Sequence, residues 1–149
     1  MNGFLRIALA SIGAVAVLTT ASAQETDYAA EANAAFLKHE GSARSSQTAS
    51  EMALCRTLWE RWQFVVDSSN VPSFNAGLHR ELLSKNAKRK EEFWLRKSQE
   101  QFRRYEEDES KFGPMMAEAQ ERADDYYAAW VNVEPGHAND LPEALGTCR

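Results

Sequence analysis

Residues 86–110 read NAKRKEEFWLRKSQEQFRRYEEDES, and this stretch decides the fold class. Lys88, Glu92, Arg96, Glu100, Arg104 and Asp108 alternate in sign at every fourth position. Only a helix makes such residues successive neighbours, each pair adding about 0.2–0.5 kcal/mol. The charged stripe winds over the face opposite Ala87, Trp94, Leu95, Ser98, Phe102 and Tyr105. Charge and apolar patterns therefore predict one long helix, which Gly113-Pro114 breaks.

The same period recurs upstream. Met52, Cys55, Trp59, Trp62 and Val66 fall three or four apart, and Leu54, Leu58 and Val65 widen their face. Arg56, Glu60, Arg61, Gln63 and Asp67 lie opposite. Thr48 or Ser50 can cap this helix, and Pro72 disfavours its continuation. Between the two, Leu78 and Leu82 stand one turn apart and suggest a short helix within 74–84, weakened by Gly77. A last long helix starts near Pro114, with Met116, Ala119, Ala123, Tyr126, Trp130 and Val133 as a narrow seam. Asp27 to His39 reads as a short helix with Ala30, Ala34 and Leu37 on one side, 41–48 as a loop, and 135–149 as a tail with one turn near Pro142.

No segment alternates with strand period. The expected fold is an all-α helical bundle of about four helices in a single domain over 24–149, with Trp59, Trp62, Trp94 and Trp130 meeting in the core.

Residues 1–23 predict export. Arg6 precedes an apolar run from Ile7 to Leu18, and Ala21-Ser22-Ala23 is an A-x-A cleavage signature. The run is too short for a bilayer core that needs about 20 residues. Cleavage would leave 126 residues and remove one arginine, taking the net charge from −5 to −6. A periplasmic or secreted location follows, with no membrane span in the mature chain.

Export bears on the two cysteines, Cys55 and Cys148. An even count in an oxidising compartment favours a bridge, and one pairing exists. The bond would tie the second helix to the C-terminal tail.

Catalytic and metal signals are weak. His39, His79 and His137 lie in separate segments without a ligand partner at helical spacing, and neither C-x-x-C-H nor G-x-S-x-G occurs. A bridge would consume both thiols. Glu121 and Asp125 share a helical face, which leaves carboxylate chemistry as an alternative. No catalytic residue, metal or cofactor is expected.

Charge is distributed unevenly. Residues 85–104 carry a net +5, with Lys85, Lys88, Arg89, Lys90, Arg96 and Lys97 among the cations, and residues 105–149 carry a net −8. Either the basic helix packs beside the acidic one, or it presents a patch to an anionic partner: lipid headgroup, envelope glycan or acidic protein. Nucleic acid is disfavoured by export and negative charge. Phe64 and Phe93 fall on faces that should be wet, and would form an interaction patch if they lay together.

Thr48, Glu51, Met52 and Cys55, with Leu95, Arg96, Ser98, Gln99, Phe102 and Tyr105, resemble the pattern of LprI-type lysozyme inhibitors. That resemblance implies a small exported helical inhibitor domain. The chain departs from it at Ser110, where the family's second cysteine should stand, in a longer middle, and at Trp59 and Trp62.

The functional expectation is an exported helical binding protein of the cell envelope, without catalytic activity, with an inhibitor or immunity-like protein as one form. Its partner would be another envelope protein or an anionic envelope component. The alternatives are a small carboxylate-dependent envelope hydrolase and a structural subunit docking through the Met116–Val133 seam.

Overall fold

The helix that organises the molecule is α2, Ala49–Ser68. Thr48 caps it: its side chain accepts from the Glu51 amide, and Glu51 accepts from the Thr48 amide, closing a capping box. Amide bonds from Gln47 and Thr48 hold the Glu51 carboxyl below its ordinary range. The computed structural model describes residues 27–39, 46–105 and 108–148. The expected signal segment lies outside these, as do 41–45 of the expected loop.

Six α-helices and two 3-10 turns make up the described residues, with no strand. Besides α2 they are α1 (Tyr28–Lys38), α3 (Pro72–Gly77), α4 (Ser84–Tyr105), α5 (Phe112–Val131) and α6 (Asp140–Thr147). The 3-10 turns are Arg80–Leu82 and Glu109–Lys111. The all-α bundle is as expected, and Cys55 is bonded to Cys148.

Side-chain links give the register. Gln101 bonds the Gln47 carbonyl, Arg56 meets Glu91, and Trp62 bonds the Leu82 carbonyl, so α4 runs antiparallel to α2. Thr57 bonds the Ala119 carbonyl, Arg61 pairs with Asp124, and Phe64 touches Tyr127, so α5 runs parallel to it. The two flanking helices pack mainly on α2, and α1 lies over α6 and α3.

The central place of α2 changes the expected burial. Ala53 and Thr57 are buried along with Cys55, Leu58, Trp59 and Trp62. The side expected to be wet is largely covered: Arg56, Glu60 and Arg61 are half-buried and held in ion pairs. Arg56 forks onto Glu60 at 2.9 and 3.0 Å and reaches the buried Glu91 at 3.1 Å, which Lys88 also meets at 2.7 Å.

Several boundaries differ from expectation. The long helix α4 ends at Tyr105, which is 74% exposed rather than on the inner face. Gly113 and Pro114 do not break a helix but sit in the first turn of α5, where a missing amide costs no hydrogen bond. The 74–84 segment is split at Leu78 into the end of α3 and a 3-10 turn. Helix α1 buries Ala29, Ala32, Ala35 and Phe36 rather than Ala30 and Ala34, because its one large inward ring sets the face. The tail is the two-turn α6, with Leu141, Pro142, Leu145 and Gly146 buried. A Cβ on Gly146 would overlap the Phe36 carbonyl oxygen and lie 3.3 Å from its carbon, so only glycine lets α6 seat against α1.

The four tryptophans meet in one core, as expected: Trp59, Trp62 and Trp94 are buried in the same hydrophobic cluster and Trp130 packs against it. Trp62 and Trp130 meet edge to face at 5.4 Å, with Trp130 only partly buried. Trp59 and Trp94 donate their indole N–H groups to the same carbonyl, that of Cys148, at 2.8 and 2.9 Å.

The seam of α5 faces inward, with Ala119 and Ala123 buried and Thr57 donating to Ala119. Val133 lies beyond the helix end, 51% exposed and at φ 49°. Val133 N–H bonds Trp130 and Glu134 N–H bonds Ala129, the Schellman arrangement that normally takes glycine. A left-handed β-branched residue costs about 1–2 kcal/mol. Val133→Gly is therefore expected to stabilise the fold by about 1 kcal/mol, less what glycine loses in chain entropy, and to raise the melting temperature by a few degrees. Calorimetry checks this; a lower melting temperature would mean the valine packs more than its exposure shows.

Candidate functional site: a basic groove on α4

The charge ladder read from the sequence is made only in part. Glu100 accepts from Lys97 at 3.2 Å and meets Arg104 at 3.6 Å, and these cations hold its carboxyl below the ordinary range. Lys88 turns instead to Glu91, whose hydrogen bond and charge raise the ammonium above its usual value. Arg89, Glu92 and Arg96 make no ion pair among the described residues. These three face one open groove of about 760 Å³.

The groove lies between α4 and the Arg80–Leu82 turn. Asn86, Arg89, Lys90, Glu92, Phe93 and Arg96 come from the helix, and the turn adds Arg80 and Glu81. The turn is fixed from behind: Leu82 is fully buried, and its carbonyl receives the Trp62 indole at 2.8 Å. Asn86 Nδ2 donates to the Arg80 carbonyl at 2.6 Å and ties the two walls together. Lys90 lies 4.0 Å from Glu81. Phe93, 38% exposed, rests edge to face on buried Trp94 at 5.1 Å.

Of the eight residues singled out as a candidate surface, Phe93, Arg89, Lys90 and Arg96 converge here. Lys85, Lys88 and Lys97 are exposed on α4 outside the groove lining. Phe64 belongs elsewhere. It is 57% exposed on the α5 side of α2, against Tyr127 at 5.9 Å, so it forms no common patch with Phe93. Arg80 was missed, and helical spacing could not have found it, because it reaches the groove from a separate element.

Among the described residues the basic helix α4 and the acidic helix α5 do not neutralise each other. No ion pair joins α4 to α5 among the described residues. Each is tied instead to α2, through Arg56–Glu91 and Arg61–Asp124. The exposed acids of α5 and the cations of α4 thus stand on different flanks.

The histidines are dispersed. His79 stacks on Phe36 at 5.8 Å, His39 lies 3.5 Å from Glu143, and His137 bonds Asp140 at 2.8 Å. No group of three or more metal-ligating side chains occurs among the described residues. Of the acids raised for carboxylate chemistry, Asp125 lines a second hollow with Glu134, His137 and Asp140, whereas Glu121 does not. No described helix is long and apolar enough to cross a membrane.

The chain matches no family model, no curated protein and no solved structure. The resemblance to lysozyme inhibitors therefore carries no further argument, and function has to be read from the groove.

Proposed function

We propose that this chain is an exported, non-catalytic binding protein that holds an anionic partner in the α4 groove. The observation that carries the reading is the group Arg80, Arg89 and Arg96 around Phe93, exposed and without ion pairs among the described residues, on a chain of net charge −5. Elsewhere on α4, Lys88, Lys97 and Arg104 are matched to acids, and Lys85 and Arg103, without ion pairs among the described residues, stand outside this groove. Guanidinium groups left unmatched at one concave place supply forked donors suited to carboxylate or phosphate. Export is supported by the signal-like residues 1–23 and by the Cys55–Cys148 bond, since disulfides persist in oxidising compartments. An inhibitor or immunity-like role against an envelope hydrolase is one form the partnership could take.

A direct test uses retention on a sulfated-polysaccharide resin at low salt. The wild type is expected to bind despite its net negative charge and to elute as salt screens the patch. Arg89→Glu/Arg96→Glu should pass through unretained. Lys97→Glu/Arg104→Glu makes the same change in net charge outside the groove and should still bind. Equal loss in both double variants would overturn the groove as the site.

The second hollow favours one other reading, a small carboxylate-dependent hydrolase, because Asp125, Glu134 and Asp140 line it together with His137, which bonds Asp140. Activity on envelope glycans that disappears in Asp140→Asn would favour it over the binding reading.

A further inference from the structure

The geometry points to an acidic oligosaccharide as the ligand of the α4 groove, a chain of pyranose rings carrying carboxylates. This rests on the reading of the groove as an anion site and goes on to name its ligand class.

Three features of the wall select this chemistry together. The first is spacing. Arg89, Phe93 and Arg96 lie four and three residues apart, on one face of α4. Seven residues advance a helix by about 10 Å, so two guanidinium-bearing positions flank one aromatic ring along the groove. A ligand that engages all three carries acid groups on separate units and an apolar face between them. An oligomer of uronic acids has that form, since each ring exposes C–H faces and an edge carboxylate.

The second feature is the aromatic ring. Phe93 is held edge to face by Trp94, whose own indole N–H is fixed on the Cys148 carbonyl. The groove is thus lined by one exposed aromatic ring braced by the core. Sugar C–H faces stack on such a ring, whereas an extended acidic peptide offers it only backbone and short side-chain methylenes.

The third is the acceptor set. Glu92 lines the same groove as the arginines and makes no ion pair among the described residues. The Asn86 amide spends a donor on the Arg80 carbonyl, which leaves its oxygen able to accept. A ligand made only of anions and acceptors would meet repulsion at Glu92 and no partner for Asn86. Sugar hydroxyls donate to both while the carboxylates take the arginines. The mixture of unmatched cations, an unmatched carboxylate and an exposed ring fits a hydroxyl-rich polyanion better than an acidic protein segment.

The experiment titrates the oxidised protein with tetragalacturonate, with tetraglutamate as the peptide anion and maltotetraose as the neutral sugar. Binding is read by calorimetry, and its place by amide chemical shifts. Tetragalacturonate is expected to bind about ten-fold or more tightly than either control and to shift amides of 80–96. Phe93→Ser should weaken tetragalacturonate by about ten-fold and leave tetraglutamate unchanged, with Phe93→Tyr restoring the wild-type value. Phe93 is exposed enough for these variants to fold, which circular dichroism verifies. If tetraglutamate binds as well as tetragalacturonate, or Phe93→Ser affects neither, the glycan assignment falls while the anion-site reading stands. If no anion shifts 80–96 at millimolar concentration, both fall.

Discussion

Reduction of the Cys55–Cys148 bond is expected to cost this fold up to about 4–5 kcal/mol, among the largest effects of any single change. The bridge spans a sequence separation of 93. Closing a loop of that size removes much of the freedom of the unfolded chain. The bond also fixes the end of α6, whose Leu141 and Leu145 are fully buried. Two further restraints hold that end, the Trp59 and Trp94 bonds to the Cys148 carbonyl. Because those restraints and the buried leucines persist without the bond, the reduced protein should remain helical while melting at a lower temperature. Cys55→Ser and Cys148→Ser should lower the melting temperature by similar amounts, since each removes the same constraint. Thermal unfolding with and without reductant checks this. Identical melting under both conditions would show that the bridge contributes nothing.

Trp59→Ala is the second large effect, a loss of about 3–5 kcal/mol. Trp59 is fully buried, meets Phe36 edge to face at 6.2 Å, and donates to the Cys148 carbonyl. Alanine would leave a cavity where α1, α2 and α6 converge. Trp59→Phe separates the contributions: it keeps most of the ring and loses the N–H. The Cys148 carbonyl would still accept from Trp94, so this change should cost only about 1–2 kcal/mol. Urea unfolding of both variants measures the difference. A Trp59→Ala loss below about 1 kcal/mol would show that the surrounding helices close the cavity at little cost.

Legibility of the sequence varied by element. Residues 86–104 were readable because two independent patterns, charge and apolar spacing, agree on one period. The burial of α2 was readable for Cys55, Trp59, Trp62 and Val66, and unreadable for Ala53 and Thr57. A helical wheel reports a single preferred face, whereas α2 has neighbours on several sides. Small residues carry little hydropathy signal, and here they mark the closest approach, as at Thr57 with Ala119. Gly146 escaped for the same reason. In the tail, Leu141 and Leu145 stood too close to Pro142 and Gly146 to read as a helix.

The groove was half legible. Arg89, Phe93 and Arg96 share a face by spacing alone. Arg80, the other wall, arrives by way of a turn whose position Trp62 sets from the far side of the core. Which cations stay unmatched was also beyond local pattern. Lys88 could have met Glu92 one turn on, but the structure gives it Glu91, which is buried and already shared with Arg56.

By itself, then, the sequence determined that the chain is helical, where its long helices run, and which thiols could pair, because helical period and a two-cysteine count are local or combinatorial facts. The tertiary structure alone decided that α2 lies between the basic and acidic helices, which keeps them from pairing along their length. It also decided that Arg80, Arg89 and Arg96 face one groove around Phe93. Long charged side chains choose partners by distance in space, and those distances are set by how the buried rings of Trp59, Trp62 and Trp94 pack.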